Sequence, residues 1–158
     1  MVDLETLASI EEIKQLKAQY FRFADAGDLA SYERLFTADA KIDVRGALGP
    51  GDGAETQATS SFDDGALIVG GAAFVEFISR VSVPGTVSVH HGHMPEIEIL
   101  SPTQARGVWA MEDRVWFPAG TPHRLMHGFG HYHETYERRD GRWLISSMRL
   151  VRLKVEMT

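Results

Sequence analysis

Residues 10–44 read IEEIKQLKAQYFRFADAGDLASYERLFTADAKIDV. Ile10, Ile13, Leu16, Tyr20 and Phe23 recur at helical intervals, and Ser9 and Glu12 have capping-box spacing, so a helix is expected to run to about Ala26. Gly27 ends it. Asp28 can cap a second, short helix whose buried side is Leu29, Tyr32, Leu35 and Phe36, after which KIDVR alternates as a first strand.

Downstream the punctuation and then the period change. Residues 46–65, GALGPGDGAETQATSSFDDG, are rich in Gly, Ser, Thr and Asp and read as a long mobile loop. Ala72, Phe74, Val75, Phe77, Ile78 and Val81 suit a third helix, stopped by Pro84 and Gly85. From Thr86 onward the pattern has period two. Strands are expected at about 86–100, 105–117, 129–139 and 142–156, separated by SPTQ, PAGTP and RDG. The order is ααβαββββ. Helices gathered early and long antiparallel strands late describe an α+β domain, a cone-shaped barrel in which the N-terminal helices pack on a strongly curved, mostly antiparallel sheet. A small ligand would bind between the first helix and the concave face.

The composition narrows the function. A chain of 158 residues fits one domain, 1–158, with a real core. Its net charge of -6, from 16 basic and 22 acidic residues without a basic cluster, offers nothing to a polyanion, so no nucleic-acid partner is expected. The absence of cysteine removes disulfides, cysteine zinc sites and thiol nucleophiles. The opening MVDLETLASIEEIK has no basic n-region or apolar h-region, and no run approaches a membrane span. A cytoplasmic protein without a membrane partner is the expectation. No phosphate loop, nucleotide fingerprint or Ser/His/Asp order appears.

Residues 90–99, HHGHMPEIEI, place three of the seven histidines within four positions. Successive strand side chains alternate, so His90 and His91 must point to opposite faces, and His93 can join the pocket only through a bulge. Gly85, His91, His93 and Glu98, followed by PAGTPH ending at His123, resemble the two metal-binding motifs of cupin barrels. The pattern breaks at Ala105, Glu112 and His127, and two opening helices fit a cupin badly. No bound metal is expected. Tyr20, on the apolar stripe of the first helix, reads by itself as a core tyrosine whose hydroxyl seeks a partner. Asp25 lies at that helix's C-terminal end, where the dipole disfavours an anion, so its carboxylate needs a reason to be there.

The stretch 10–44, the strand VSVHHGHMPEIEI and the ending GHYHETYERRDGRWLISSMRLVRL resemble the SnoaL-like branch of the nuclear transport factor 2-like superfamily. Eliminating enzymes of that superfamily include scytalone dehydratase, bile acid 7α-dehydratase and lindane dehydrochlorinase. They carry a strand histidine some seven residues before an apolar strand position and an acidic residue near the end of the first helix. The resemblance selects His90, counted back from Ile97, and Asp25, with Tyr20 matching a helix tyrosine. It places Asp113 near a third polar position and Arg149 near a last-strand arginine. The extra histidines, His91 and His93, have no counterpart and are expected to face outward; His123, His127, His131 and His133 receive no role.

These residues imply a cofactor-free lyase, a dehydratase or related β-eliminating enzyme. Histidine supplies a base of near-neutral pKa and a carboxylate fixes its tautomer. Tyr20 and a protonated Asp113 would polarise a carbonyl or donate to the leaving oxygen, and Arg149 would balance negative charge. Phe23, Trp109, Met111 and Tyr132 suggest an apolar lining for a small hydrophobic, ring-containing molecule. An isomerase or cyclase, or a binding domain without catalysis, would use the same pocket. Alternation also puts Val108, Trp116, Leu144, Met148 and Leu150 on the opposite sheet face, which makes a homodimer or homotrimer the expectation.

Overall fold

The structure is a computed structural model that describes residues 3–46 and 67–158. Apart from Gly46, the loop expected at 46–65 lies outside the described residues. Helix α1 (Leu4–Ala26) begins before the expected capping box, because Asp3 accepts a 2.7 Å hydrogen bond from the Thr6 N–H and is the N-cap. Ser9 is buried inside the helix instead. Gly27, at φ 66°, supplies the left-handed C-terminal turn, and its N–H reaches the Ala24 carbonyl. Asp28 then caps α2 (Leu29–Glu33) through the Ser31 N–H.

Strand β1 (Phe36–Asp43) starts where the sequence suggested that α2 would continue. Next comes β2 (Ile68–Val69), a two-residue strand too short to show any period. Helix α3 (Gly71–Val81) is followed by four long strands, β3 (Val87–Ser101), β4 (Gln104–Trp116), β5 (Leu125–Arg139) and β6 (Arg142–Met157). The order is therefore ααββαββββ. One sheet has strand order β2-β1-β6-β5-β4-β3. β1 runs parallel to β6 and every other pairing is antiparallel. The sheet is mixed and open, with β2 and β3 as edges, so the α+β layering is as expected but the barrel does not close. At the β3 edge the register shifts between Gly92 and Pro95, a bulge with a proline that blocks continuous edge pairing.

The helices define an inner sheet face. Ile13, Leu16, Tyr20 and Phe21 of α1 join one cluster with Trp109, Met111, Tyr132, Tyr136, Ile145, Met148 and Leu150 of the sheet. Each such side chain contributes about 1.5–3 kcal/mol by leaving water. Met148 and Leu150 thus belong to the core and not to the outer face. A register shift in β5–β6 between Thr135 and Tyr136 reverses the parity that simple counting from Leu144 gives. Val108, Leu144 and Trp116 alternate with inward neighbours and stay outside. No described helix is long and apolar enough to cross a membrane.

Candidate active site

His90 is brought inward by β3, opposite Asp113 of β4 in the strand register. Asp25 arrives in the last turn of α1. His90 Nδ1 lies 2.6 Å from Asp25 Oδ1, while the His90 backbone N–H donates to Asp25 Oδ2 at 2.9 Å and the Ser88 hydroxyl donates to Oδ1 at 3.0 Å. Burial acts to raise the Asp25 pKa, but the bonds from His90 and Ser88 outweigh it and hold the carboxyl below its ordinary value. A carboxylate poorly placed for the helix dipole is thus compensated by three donors from one strand. With the Nδ1 proton donated to Asp25, the lone pair rests on Nε2.

Nε2 faces a second carboxylate, Asp113 Oδ2, at 3.8 Å. Asp113 is buried and held in a bidentate pair by Arg152, at 2.6 and 2.8 Å. Gly128 makes room for that pair: a Cβ there would lie 2.1 Å from Arg152 Nη1 and 2.5 Å from Asp113 Oδ1. Phe21 stacks on the His90 ring at 6.2 Å and 14°. It packs so closely on Gly92 that a Cβ there would come within 2.6 Å of the Phe21 ring.

Deeper between α1 and the sheet, Tyr20, Tyr32 and Tyr132 form a phenol cluster. The Tyr20 ring centre lies 4.9 Å from that of Tyr32 and 5.7 Å from that of Tyr132, and burial keeps all three hydroxyls well above the ordinary tyrosine pKa. Lys17 lies beneath, with Nζ 3.8 Å from the Tyr20 ring centre and 3.6 Å from that of Tyr132. Its partner is Glu134 at 2.5 Å, and both side chains are wholly buried. Burial pulls the Lys17 pKa down, against the opposing pull of Glu134. Tyr136 donates to Glu134 Oε2, and Trp109 Nε1 donates to the Tyr136 hydroxyl at 2.8 Å.

The structure brings Tyr20, Asp25, His90, Asp113, Trp109, Met111 and Tyr132 to this inner side. It does not bring Arg149. Paired with the outward His133, Arg149 lies on the other face, and Arg152 is the arginine that meets Asp113. The shift in β6 register produces this correction. Phe23 is half-buried with the Arg22 guanidinium 4.4 Å from its ring, whereas Phe21 carries the contact with His90. His91 points outward, 60 % exposed, with Nδ1 3.5 Å from Glu112. Among the described residues no group of three His, Asp or Glu side chains is arranged to hold a metal ion.

A sequence model of the SnoaL-like domain matches residues 5–149. The chain belongs to the SnoaL-like domain family. Solved structures share the fold. The hexachlorocyclohexane dehydrochlorinase LinA-type3 of Novosphingobium barchaimii superposes with a TM-score of 0.78 at 19 % identity, over 99 % of this chain and 94 % of its own. A LinA Type2 dehydrochlorinase gives 0.77 at 17 % identity, over 99 % and 93 %. A candidate scytalone dehydratase from Novosphingobium aromaticivorans gives 0.74 at 15 % identity, over 98 % and 90 %. At these identities the likeness is one of fold.

Counting in the sequence missed two features of this SnoaL-like domain. Arg152 was recoverable only with the bulge known. Lys17 had a signal: a charge beside the apolar stripe at Ile13, Leu16 and Tyr20 asks for a buried partner.

Proposed function

We propose that this SnoaL-like domain is a cofactor-free lyase that carries out β-elimination, a dehydration or loss of halide, on a small hydrophobic, ring-containing molecule. The observation that carries the reading is His90, with Nδ1 on Asp25 at 2.6 Å and Nε2 directed to the inner side of the sheet beside Asp113. Nε2 takes a proton from carbon, the C–H pair becomes the new double bond, and the leaving group departs with its own bonding pair. Two carboxylates flank the imidazolium that forms. Asp25 holds its tautomer, and Asp113, tied to Arg152, contributes negative charge in a fixed position. A tyrosine of the cluster donates to the departing or developing oxygen. Trp109, Met111 and Phe21 supply apolar walls for a ring.

The hydroxyl cluster also favours a second reading. Clustered phenols can hold an enolate that has no leaving group, which is isomerase chemistry with the same base. Both readings are tested in heavy water with a panel of small cyclic ketones bearing a β-hydroxyl or β-halide. Elimination releases water or halide in a His90-dependent manner; isomerisation leaves product mass unchanged apart from deuterium. If binding occurs with neither exchange nor product, the catalytic reading fails.

A further inference from the structure

The elimination makes no direct use of the wholly buried pair Lys17–Glu134. Stability gives such a pair little reason to exist, because desolvating two charges costs about as much as their attraction supplies. Its surroundings are specific. Lys17, Tyr20 and Phe21 stand at i, i+3 and i+4 and share one side of α1, while Tyr132 and Glu134, two apart, share the inner face of β5. Packing of the helix on the sheet then puts the ammonium among three rings, with Nζ 3.6 Å from the centre of Tyr132, 3.8 Å from that of Tyr20 and 4.9 Å from that of Phe21. Glu134 accepts its hydrogen bond at 2.5 Å, and the other carboxylate oxygen takes the Tyr136 hydroxyl. Both oxygens of the anion are thus occupied, and the cation is left against the rings.

We propose that Lys17 is a positioning residue of the site, a cation that makes the Tyr20 and Tyr132 hydroxyls stronger donors toward negative charge developing on a bound oxygen. The inference rests on the reading that a tyrosine of this cluster donates to that oxygen, in either the eliminating or the isomerising reaction. A cation on a ring face attracts the π electrons. Charge taken up by a phenol oxygen spreads into the same ring, so the attraction grows as the hydroxyl gives more of its proton to an oxyanion. The contact is stronger in the transition state than with bound substrate, which is the condition for raising turnover instead of binding.

The site has need of such a cation. Burial makes the phenols poorer acids, and the carboxylates act in the same direction, Asp113 on Tyr132, Asp25 on Tyr32 and Glu134 on Tyr20. What Lys17 adds is the difference between a positive charge in ring contact and its own counter-charge. Phe21, the third ring, stacks on His90, so the same ammonium braces the wall against which the base is held. The amine itself does no covalent chemistry. It is wholly buried and walled by rings, and it acts through the tyrosines.

Two probes separate charge from shape: 4-nitrophenolate, a ring with one oxyanion, and nitrobenzene, the same ring without it. Calorimetric titration of the full chain is expected to show that wild type prefers the phenolate. Lys17→Met/Glu134→Gln removes both charges together and leaves Tyr136 an oxygen to donate to. It should weaken phenolate binding by about tenfold or more, the scale of one desolvated cation–π contact, and change nitrobenzene binding by less than about twofold. Circular dichroism checks the fold, and Lys17→Gln/Glu134→Gln, an amide pair, serves if the first variant misfolds. Turnover of a substrate from the heavy-water screen should fall in kcat with KM nearly unchanged. Equal losses for the two probes mean a structural role and overturn the inference, as does phenolate affinity that survives the loss of both charges. The reading beneath it fails differently: wild type then shows no preference for phenolate over nitrobenzene, and the positioning role falls with it.

Discussion

The two faces of one sheet carry the same residue types and treat them oppositely. On the inner face His90 is enclosed between two carboxylates, Asp25 at 2.6 Å and Asp113 at 3.8 Å. On the outer face its neighbour His91 is 60 % exposed and stands 3.5 Å from a half-buried carboxylate, Glu112. One step along a strand separates an imidazole with a fixed tautomer and a directed lone pair from one that water and a single acid share. Residue type does not make a base; enclosure and a second, orienting contact do.

Exchanging the adjacent histidines breaks the comparison most directly. His90→Gln is expected to fold and to lower turnover of any substrate found by the heavy-water screen by about 10²–10⁴-fold, the range for a lost general base, while His91→Gln changes it by less than about twofold. Single-turnover rates of the two variants beside wild type measure this. Equal rates would place the base elsewhere.

The ion pairs extend the contrast to stability. Lys17 and Glu134 are wholly buried, so Lys17→Met leaves a carboxylate in the core, still bonded to Tyr136, at a cost of roughly 3–5 kcal/mol. Arg106 and Glu98 form an outer pair at 2.5 Å that is more than half exposed, and Arg106→Met should cost about 0–1 kcal/mol. Urea unfolding of both variants gives the two values on one scale. A smaller intermediate effect is expected at Gly128. A Cβ 2.1 Å from Arg152 Nη1 forces the Asp113–Arg152 pair to move, which should cost roughly 1–3 kcal/mol. Gly128→Ala should also slow turnover without touching His90, because Asp113 loses its fixed place.

The same division explains what the sequence could disclose. Helical spacing in residues 10–26 and period two after Thr86 come from side chains repeating at the geometric period of their element, and that is legible without coordinates. So was the opposition of His90 and His91, which needs alternation only. An anion at a helix C-terminus makes Asp25 stand out, but its pairing with His90 is implied only by the family resemblance. Counting selects Arg149 where Arg152 is the arginine that meets Asp113, and it sets Met148 and Leu150 on the wrong face, for one reason: a bulge adds a residue to one strand and leaves no mark in composition. β2 escaped because two residues show no period. The Lys17–Glu134 pair joins positions 117 apart in sequence, and only the packing of α1 on β5 brings them together.

The smallest expected effect is a pH dependence that separates the inner carboxylate from its surroundings. Folding lowers the Asp25 pKa from about 3.8 because burial, which opposes ionisation, is outweighed by hydrogen bonds from His90 and Ser88. Between the folded and unfolded values the unfolded chain holds more protons at this site, so stability rises with pH across that window. The contribution is complete above the unfolded value near 3.8 and is lost as pH falls through the lower folded value. With Asp25 about one-quarter exposed, solvent screens part of it. Asp25→Asn keeps the shape and removes the charge. Its deficit relative to wild type should therefore be constant near neutrality and shrink only below about pH 4, where the wild-type carboxyl takes up its proton. Urea midpoints of the two proteins between about pH 3 and pH 7 measure that difference directly. A deficit independent of pH would mean that the His90–Asp25 contact is held by shape and neutral hydrogen bonding, and that the charge on Asp25 adds nothing to it.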